Sequence, residues 1–142
     1  MPPTFGWDNL EDIALAVKVV RRLGALDIGQ AAAVCDGLVL AVEAAEGTDA
    51  MIARVGSLPE AIRGTPAKRR GVLVKALKPA QDRKTDLPVI GVETVRNAAS
   101  VGLAGVAIEA GRSLVMNRSG VIEAASAAGI FVVAFAPEDY AG

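Results

Sequence analysis

Apolar positions along the chain follow two different periods. Leu10, Ile13, Val17 and Val20 recur at helical spacing, while Glu11, Asp12, Lys18 and Arg22 fall largely on the other side. This pattern predicts a first helix. Asp8 suits its N-cap, and Glu11 three residues later completes a capping box. Arg21 and Arg22 fall in the last turn, where they favour the negative end of the helix dipole, and Gly24 is expected to close it. Two apolar runs follow, at residues 31–35 and 38–42, joined by Asp36-Gly37. A two-residue Asp-Gly link adopts positive φ and signals a hairpin. The run at 38–42 is apolar throughout, which predicts a strand buried on both faces.

Further on, Met51, Ile52 and Val55 form the stripe of a helix starting near Ala50, and Pro59 opens a short helical turn. Residues 63–71 read as a basic, solvated loop and the most mobile segment, with contact to acidic lipid as the minority reading for its charges. Strands are expected at 72–77, 106–109, 113–116 and 130–135. Helices are expected at 93–101, ended by Gly102, and from Asn117 to Ala128, ended by Gly129. Ala98-Ala-Ser-Val-Gly-Leu103 and Ala124-Ala-Ser-Ala-Ala-Gly-Ile130 share one phrase, in which a small-residue helix stops at glycine and feeds a strand. Alternating strands and helices predict a single α/β layered domain over residues 1–142, with a mixed, partly parallel sheet flanked by helices.

Composition narrows the chemistry. A chain of 142 residues, 52% hydrophobic and 22% charged, can bury a core without disulfides or a structural metal. Fifteen Lys plus Arg against 16 Asp plus Glu leave a net charge of −1, which argues against binding nucleic acid. Cys35 is the lone cysteine and suits a reducing compartment; its strand setting marks it as core more than nucleophile. No apolar run approaches the ~18 residues of a spanning helix. The first residues lack the basic and apolar regions of a signal peptide, so a cytoplasmic location is expected. The chain has no histidine, which excludes Ser-His-Asp and Cys-His catalysis within it, and every His-ligated metal site.

Two polar segments lie at strand ends, where α/β proteins tend to place their sites. In the first, Glu43-Ala-Ala-Glu46-Gly47-Thr48-Asp49, the helix start offers free N–H groups to an anion. The simpler reading makes Thr48 or Asp49 an N-cap, which leaves Glu43 and Glu46 unexplained. The second runs from Lys75 through Lys78, Gln81, Asp82, Arg83 and Lys84 to Asp86. Lys75 sits within an apolar strand pattern, so it must face a polar cavity or pair with a carboxylate. Lysines and acids mixed in one place can hold a phosphate and a hard cation together; the simpler reading is a solvated charged loop. Glu109 is either a site residue or a plain strand-end carboxylate.

These two segments, with Asp27-Ile28-Gly29-Gln30 and Gly102-Leu-Ala-Gly105-Val-Ala-Ile-Glu109-Ala-Gly111, resemble the C-terminal half of LpxI-type UDP-2,3-diacylglucosamine pyrophosphatases. The resemblance runs in order from about Asp27 to Phe135. It implies a Gram-negative lipid A enzyme that hydrolyses the diphosphate of UDP-2,3-diacylglucosamine to UMP and 2,3-diacylglucosamine 1-phosphate with Mg²⁺ or another divalent cation. It implies a two-domain enzyme of which this chain is the C-terminal domain, with the N-terminal domain as its missing partner. On that basis Asp86 and Asp82 are the candidate catalytic residues and metal ligands. Lys75 and Lys78 would neutralise diphosphate oxygens, and Gln81, Glu46, Thr48 and Asp49 would position the substrate. The acylated substrate implies peripheral contact with the inner membrane, and a homodimer is compatible with the sequence. The rival readings are a non-catalytic module for phospho-sugar or lipid binding or for dimerisation, and a regulatory domain that binds another protein.

Overall fold

The computed structural model describes residues 7–76, 89–110 and 114–136. Within them the order is α1 (Trp7–Ala25), β1 (Ala31–Cys35), β2 (Leu38–Val42), α2 (Thr48–Gly56), a 3-10 turn (Glu60–Ile62), β3 (Val72–Lys75), β4 (Val89–Ile90), α3 (Val92–Ser100), β5 (Gly105–Glu109), β6 (Leu114–Val115), α4 (Arg118–Ala128) and β7 (Phe131–Phe135). The main sheet runs β2-β1-β3-β5-β7. Here β1 is antiparallel to both β2 and β3, while β3, β5 and β7 are parallel. A two-stranded parallel pair, β4 with β6, stands apart. The mixed α/β sheet expected from sequence is therefore present.

Strand alternation sends successive residues to opposite faces and creates two cores. On one face Ile13, Ala16, Val17 and Val20 of α1 pack on Ala32, Val34, Val72 and Val74. On the other, Met51, Ile52 and Val55 of α2, with Val95, Ala98, Val121 and Ala125, pack on Ala31, Ala33, Leu73 and Ile108. The repeated phrase has one structural meaning. Gly102 and Gly129 both take positive φ, at 85° and 74°. Behind each, the chain closes the helix with the same reach-back: Leu103 N–H donates to the Ala98 carbonyl at 3.1 Å, and Ile130 N–H to Ala125 at 3.0 Å. Both closing side chains are buried, as this helix end favours.

Several expectations are corrected. β2 is an edge strand with Leu38 and Val39 exposed, and it is β1 that is buried along its whole length. α1 begins at Trp7, so Asp8 lies inside the first turn, and the helix runs past Gly24. Its end is closed by Asp27 at φ 58°, with Ile28 N–H reaching the Leu23 carbonyl at 2.8 Å. α2 starts at Thr48, two residues earlier than expected. Asp12 is buried, not on the polar side. Its two carboxylate oxygens accept from Asp36 N–H and Gly37 N–H, each at 2.9 Å, and so pin the hairpin turn to α1.

The basic loop is also corrected. Arg63 donates to the Leu58 carbonyl at 2.8 Å and to Gly64 at 3.0 Å. Arg69 reaches the Ala99 carbonyl at 2.6 Å, closing off the end of α3. Arg70 donates to the Arg63 carbonyl at 2.7 Å and pairs with Asp36 at 2.7 Å. Three of its cations are thus tied to backbone carbonyls, and Lys68 alone of the run is exposed.

Candidate active site at the carboxyl edge of the sheet

The parallel strands β3, β5 and β7 end at a common edge, and the antiparallel hairpin brings its open end to the same place. A row of residues crosses the sheet there. Glu43 N–H donates to the Ala31 carbonyl at 2.9 Å, Ala31 pairs with Lys75, and Lys75 pairs with Ile108. Directly opposed residues share a face, so Glu43, Ala31, Lys75 and Ile108 belong to the side covered by α2 and α3.

Lys75 is half-buried at the end of β3. Burial pushes its ammonium below the ordinary lysine range, while the charges of Glu43 and Asp49 act to hold it up. Lys75 thus stands at a polar edge under the charge of two carboxylates.

The Glu43–Asp49 segment is built as a frame. Glu43 Oε1 accepts from Gln30 N–H at 2.7 Å, and Oε2 accepts from the Thr48 hydroxyl at 2.6 Å. Gly29, the residue before Gln30, fits against Glu43 so closely that a Cβ there would strike the Glu43 carbonyl. Glu46 accepts from Ala44 N–H at 2.7 Å and pairs with Arg54 at 2.9 Å, while Arg54 also donates to the Val42 carbonyl at 2.7 Å. The hydrogen bond from Ala44, followed by the neighbouring Arg54 charge, holds the Glu46 carboxyl below its usual range. The N-cap of α2 is Gly47 at φ 90°, with no side-chain cap and open space where a Cβ would stand. The N-cap reading for Thr48 and Asp49 is therefore corrected. Thr48 donates to Glu43, and Asp49 accepts from Asn97 Nδ2 of α3 at 3.2 Å.

Of the sequence-predicted site residues, the structure brings Lys75, Glu46, Thr48 and Asp49 to this edge. Asp82, Asp86, Lys78 and Gln81 lie outside the described residues. Glu43 and Asn97 are members that motif reading did not assign. Glu43 had a signal, as the acid that a helix cap could not explain; Asn97 had none, because its partner is 48 residues away. Glu109 ends β5 and is buried, and alternation sets it on the face opposite Lys75 and Ile108. Cys35 is buried at the far end of β1, and burial with the neighbouring Asp36 charge pushes its thiol up to about 11. It is a core residue.

The donor set at this edge is carboxylate, hydroxyl and amide oxygen, which suits a hard cation. Among the described residues, however, no three Asp, Glu or Cys side chains gather as a metal site. The carboxylates present are engaged by protein donors.

Comparison with known proteins extends this picture. Residues 4–133 match the family model described as the LpxI C-terminal domain. The chain is 56% identical over 132 residues to UDP-2,3-diacylglucosamine pyrophosphatase LpxI of Caulobacter vibrioides, covering 93% of this chain and 47% of that protein. It thus spans about half the length of the curated relative it matches. The matched region takes in almost the whole sheet and the Glu43–Lys75 frame, and the chain belongs to the LpxI family through its C-terminal domain.

Proposed function

We propose that this chain supplies the charged half of the active site of a UDP-2,3-diacylglucosamine pyrophosphatase. The reaction adds water across the diphosphate and releases UMP and 2,3-diacylglucosamine 1-phosphate, a step toward lipid A. The observation that carries the reading is Lys75, a half-buried cation at the carboxyl edge of a parallel sheet, in a chain 56% identical to an enzyme of that name.

Phosphoanhydride hydrolysis depends mainly on positioning and on stabilising charge. Histidine is not required, in keeping with a chain that has none. Lys75 and Lys78 neutralise diphosphate oxygens. The open start of α2 at Gly47, with Thr48 and Asp49, orients the phosphates and the sugar. Glu46 shapes the loop that presents them, and Gln81 adds an amide contact. Asp86 would orient the attacking water, or hold a metal together with Asp82. Mg²⁺, when bound, supplies further neutralisation of the diphosphate charge.

The N-terminal half of the two-domain protein completes the site and covers the lipid. The acylated substrate draws the enzyme to the inner membrane from the cytoplasmic side. No helix among the described residues is long and apolar enough to cross a membrane.

The test is turnover by the two-domain protein carrying Asp86→Ala or Asp82→Ala, with Mg²⁺ and with EDTA. The expected result is a loss of about 10²-fold or more in kcat for Asp86→Ala. Near-normal turnover in both variants would remove the assignment.

A further inference from the structure

We infer that Glu43 is a positioning residue that holds the Lys75 ammonium in place across Ala31. The inference rests on the proposed function, since it takes Lys75 as the diphosphate-facing cation.

The geometry is set by three strands. Glu43 follows the last residue of β2, Ala31 opens β1 and Lys75 ends β3, and they stand side by side on one face. Adjacent strands are about 4.8 Å apart, so Glu43 and Lys75 are about 10 Å apart at the backbone. The residue between them is alanine, which is fully buried and has nothing beyond Cβ. A lysine stem and a glutamate stem can therefore lie toward each other over a single methyl group. Any larger residue at position 31 would stand between them.

Glu43 is itself unable to wander. One carboxylate oxygen takes the Gln30 amide and the other takes the Thr48 hydroxyl. A carboxylate bonded on both oxygens is a fixed point of negative charge, and it is a poor candidate for chelating a metal or moving a proton. The other charged groups acting on this corner are Asp49, which shares in holding up the Lys75 charge, and Arg54, which is taken up by Glu46 and the Val42 carbonyl. Beside its place at the open start of α2, Thr48 thereby also orients Glu43.

The experiment follows Lys75 by [¹³Cε]lysine NMR in the 142-residue chain, titrated with inorganic pyrophosphate. In the wild-type chain pyrophosphate shifts the Lys75 resonance. Glu43→Gln removes a negative charge, so bare electrostatics calls for tighter anion binding. A positioning role calls for the reverse, and affinity is expected to fall about tenfold. Glu43→Asp, which keeps the charge, should recover most of the loss that Glu43→Gln shows, and Thr48→Ser, which keeps the hydroxyl, most of the loss that Thr48→Val shows. Glu60→Gln, at the opposite end of β3, should stay within about twofold. Pyrophosphate binding that is equal or tighter in Glu43→Gln, in a variant whose circular dichroism is unchanged, overturns the inference and leaves Lys75 as the cation. An unresponsive Lys75 in the wild-type chain, with unchanged affinity in Lys75→Ala, overturns both this inference and the reading of the site on which it rests.

Discussion

The β1–β2 hairpin has two ends, and each joins carboxylates to cations in a different way. At the closed end, Asp12 accepts from the Asp36 and Gly37 amides, and Arg70 is divided between Asp36 and the Arg63 carbonyl. Donors and acceptors there satisfy one another. At the open end, Glu43 is likewise bonded on both oxygens, yet the cation under its charge is Lys75, a half-buried lysine at the end of β3. A guanidinium has five donors in a fixed fork and can close a loop onto itself. An ammonium on a flexible stem can turn toward a phosphate. The richer cluster of positive charge in the sequence, Arg63 to Arg70, is therefore tied into the scaffold, and we propose that Lys75, the one strand lysine among the described residues, serves the site.

That contrast is easiest to break at the two cations. Lys75→Met in the two-domain protein should lower kcat/KM by about 10²-fold with little change in melting temperature. Arg70→Met should do the opposite, leaving turnover of the folded protein within about twofold while lowering the melting temperature. Equal kinetic losses in the two variants would erase the distinction. A smaller effect is expected from the buried acid. Asp12→Ala leaves two amides of the hairpin turn without their charged acceptor, a loss of about 3 kcal/mol in urea unfolding. Asp12→Asn keeps one acceptor and should lose about half as much. The least effect is expected at Cys35. With its thiol at about 11, alkylation of the native chain at pH 8 should run roughly a hundredfold slower than in denaturant. Fast native labelling would show that the closed end opens readily.

What the sequence made legible follows from how local each signal is. The Asp36-Gly37 turn and the Gly102 and Gly129 helix ends could be read directly, because positive φ is a property of one residue and its immediate neighbours. Asn117 capping α4 is local in the same sense, with its Oδ1 accepting from Gly120 N–H at 3.2 Å. What misled was non-local. Leu38 and Val39 are as apolar as any central strand, but no periodicity shows that β2 has a neighbour on one side only. Asp12 fits a polar helical face by spacing, and its partners lie 24 and 25 residues away. The arginines of the basic loop looked solvated because their acceptors are carbonyls of distant residues, among them Ala99 and Leu103.

The site divided along the same line. Lys75 could be picked out because a charge within an apolar strand conflicts with its surroundings, and that conflict is visible in a window of six residues from Val72 to Leu77. The frame around it could not. Glu43, Thr48 and Gln30 meet through a strand pairing that the sequence does not write down, and Asn97 arrives from another helix. Helix-start logic led to Thr48 as a cap, whereas its hydroxyl points back to Glu43 and the cap is Gly47.

We propose that the carboxyl edge of this sheet carries diphosphate chemistry that the other half of a two-domain enzyme completes. The most direct test is UMP release from UDP-2,3-diacylglucosamine by this chain alone and by the chain joined to an LpxI N-terminal half, each with Mg²⁺ and with EDTA. Turnover is expected only with both halves and the metal, and is abolished by Lys75→Met. Turnover that survives Lys75→Met at the wild-type rate, or no turnover when both halves are folded and Mg²⁺ is present, would contradict this proposal.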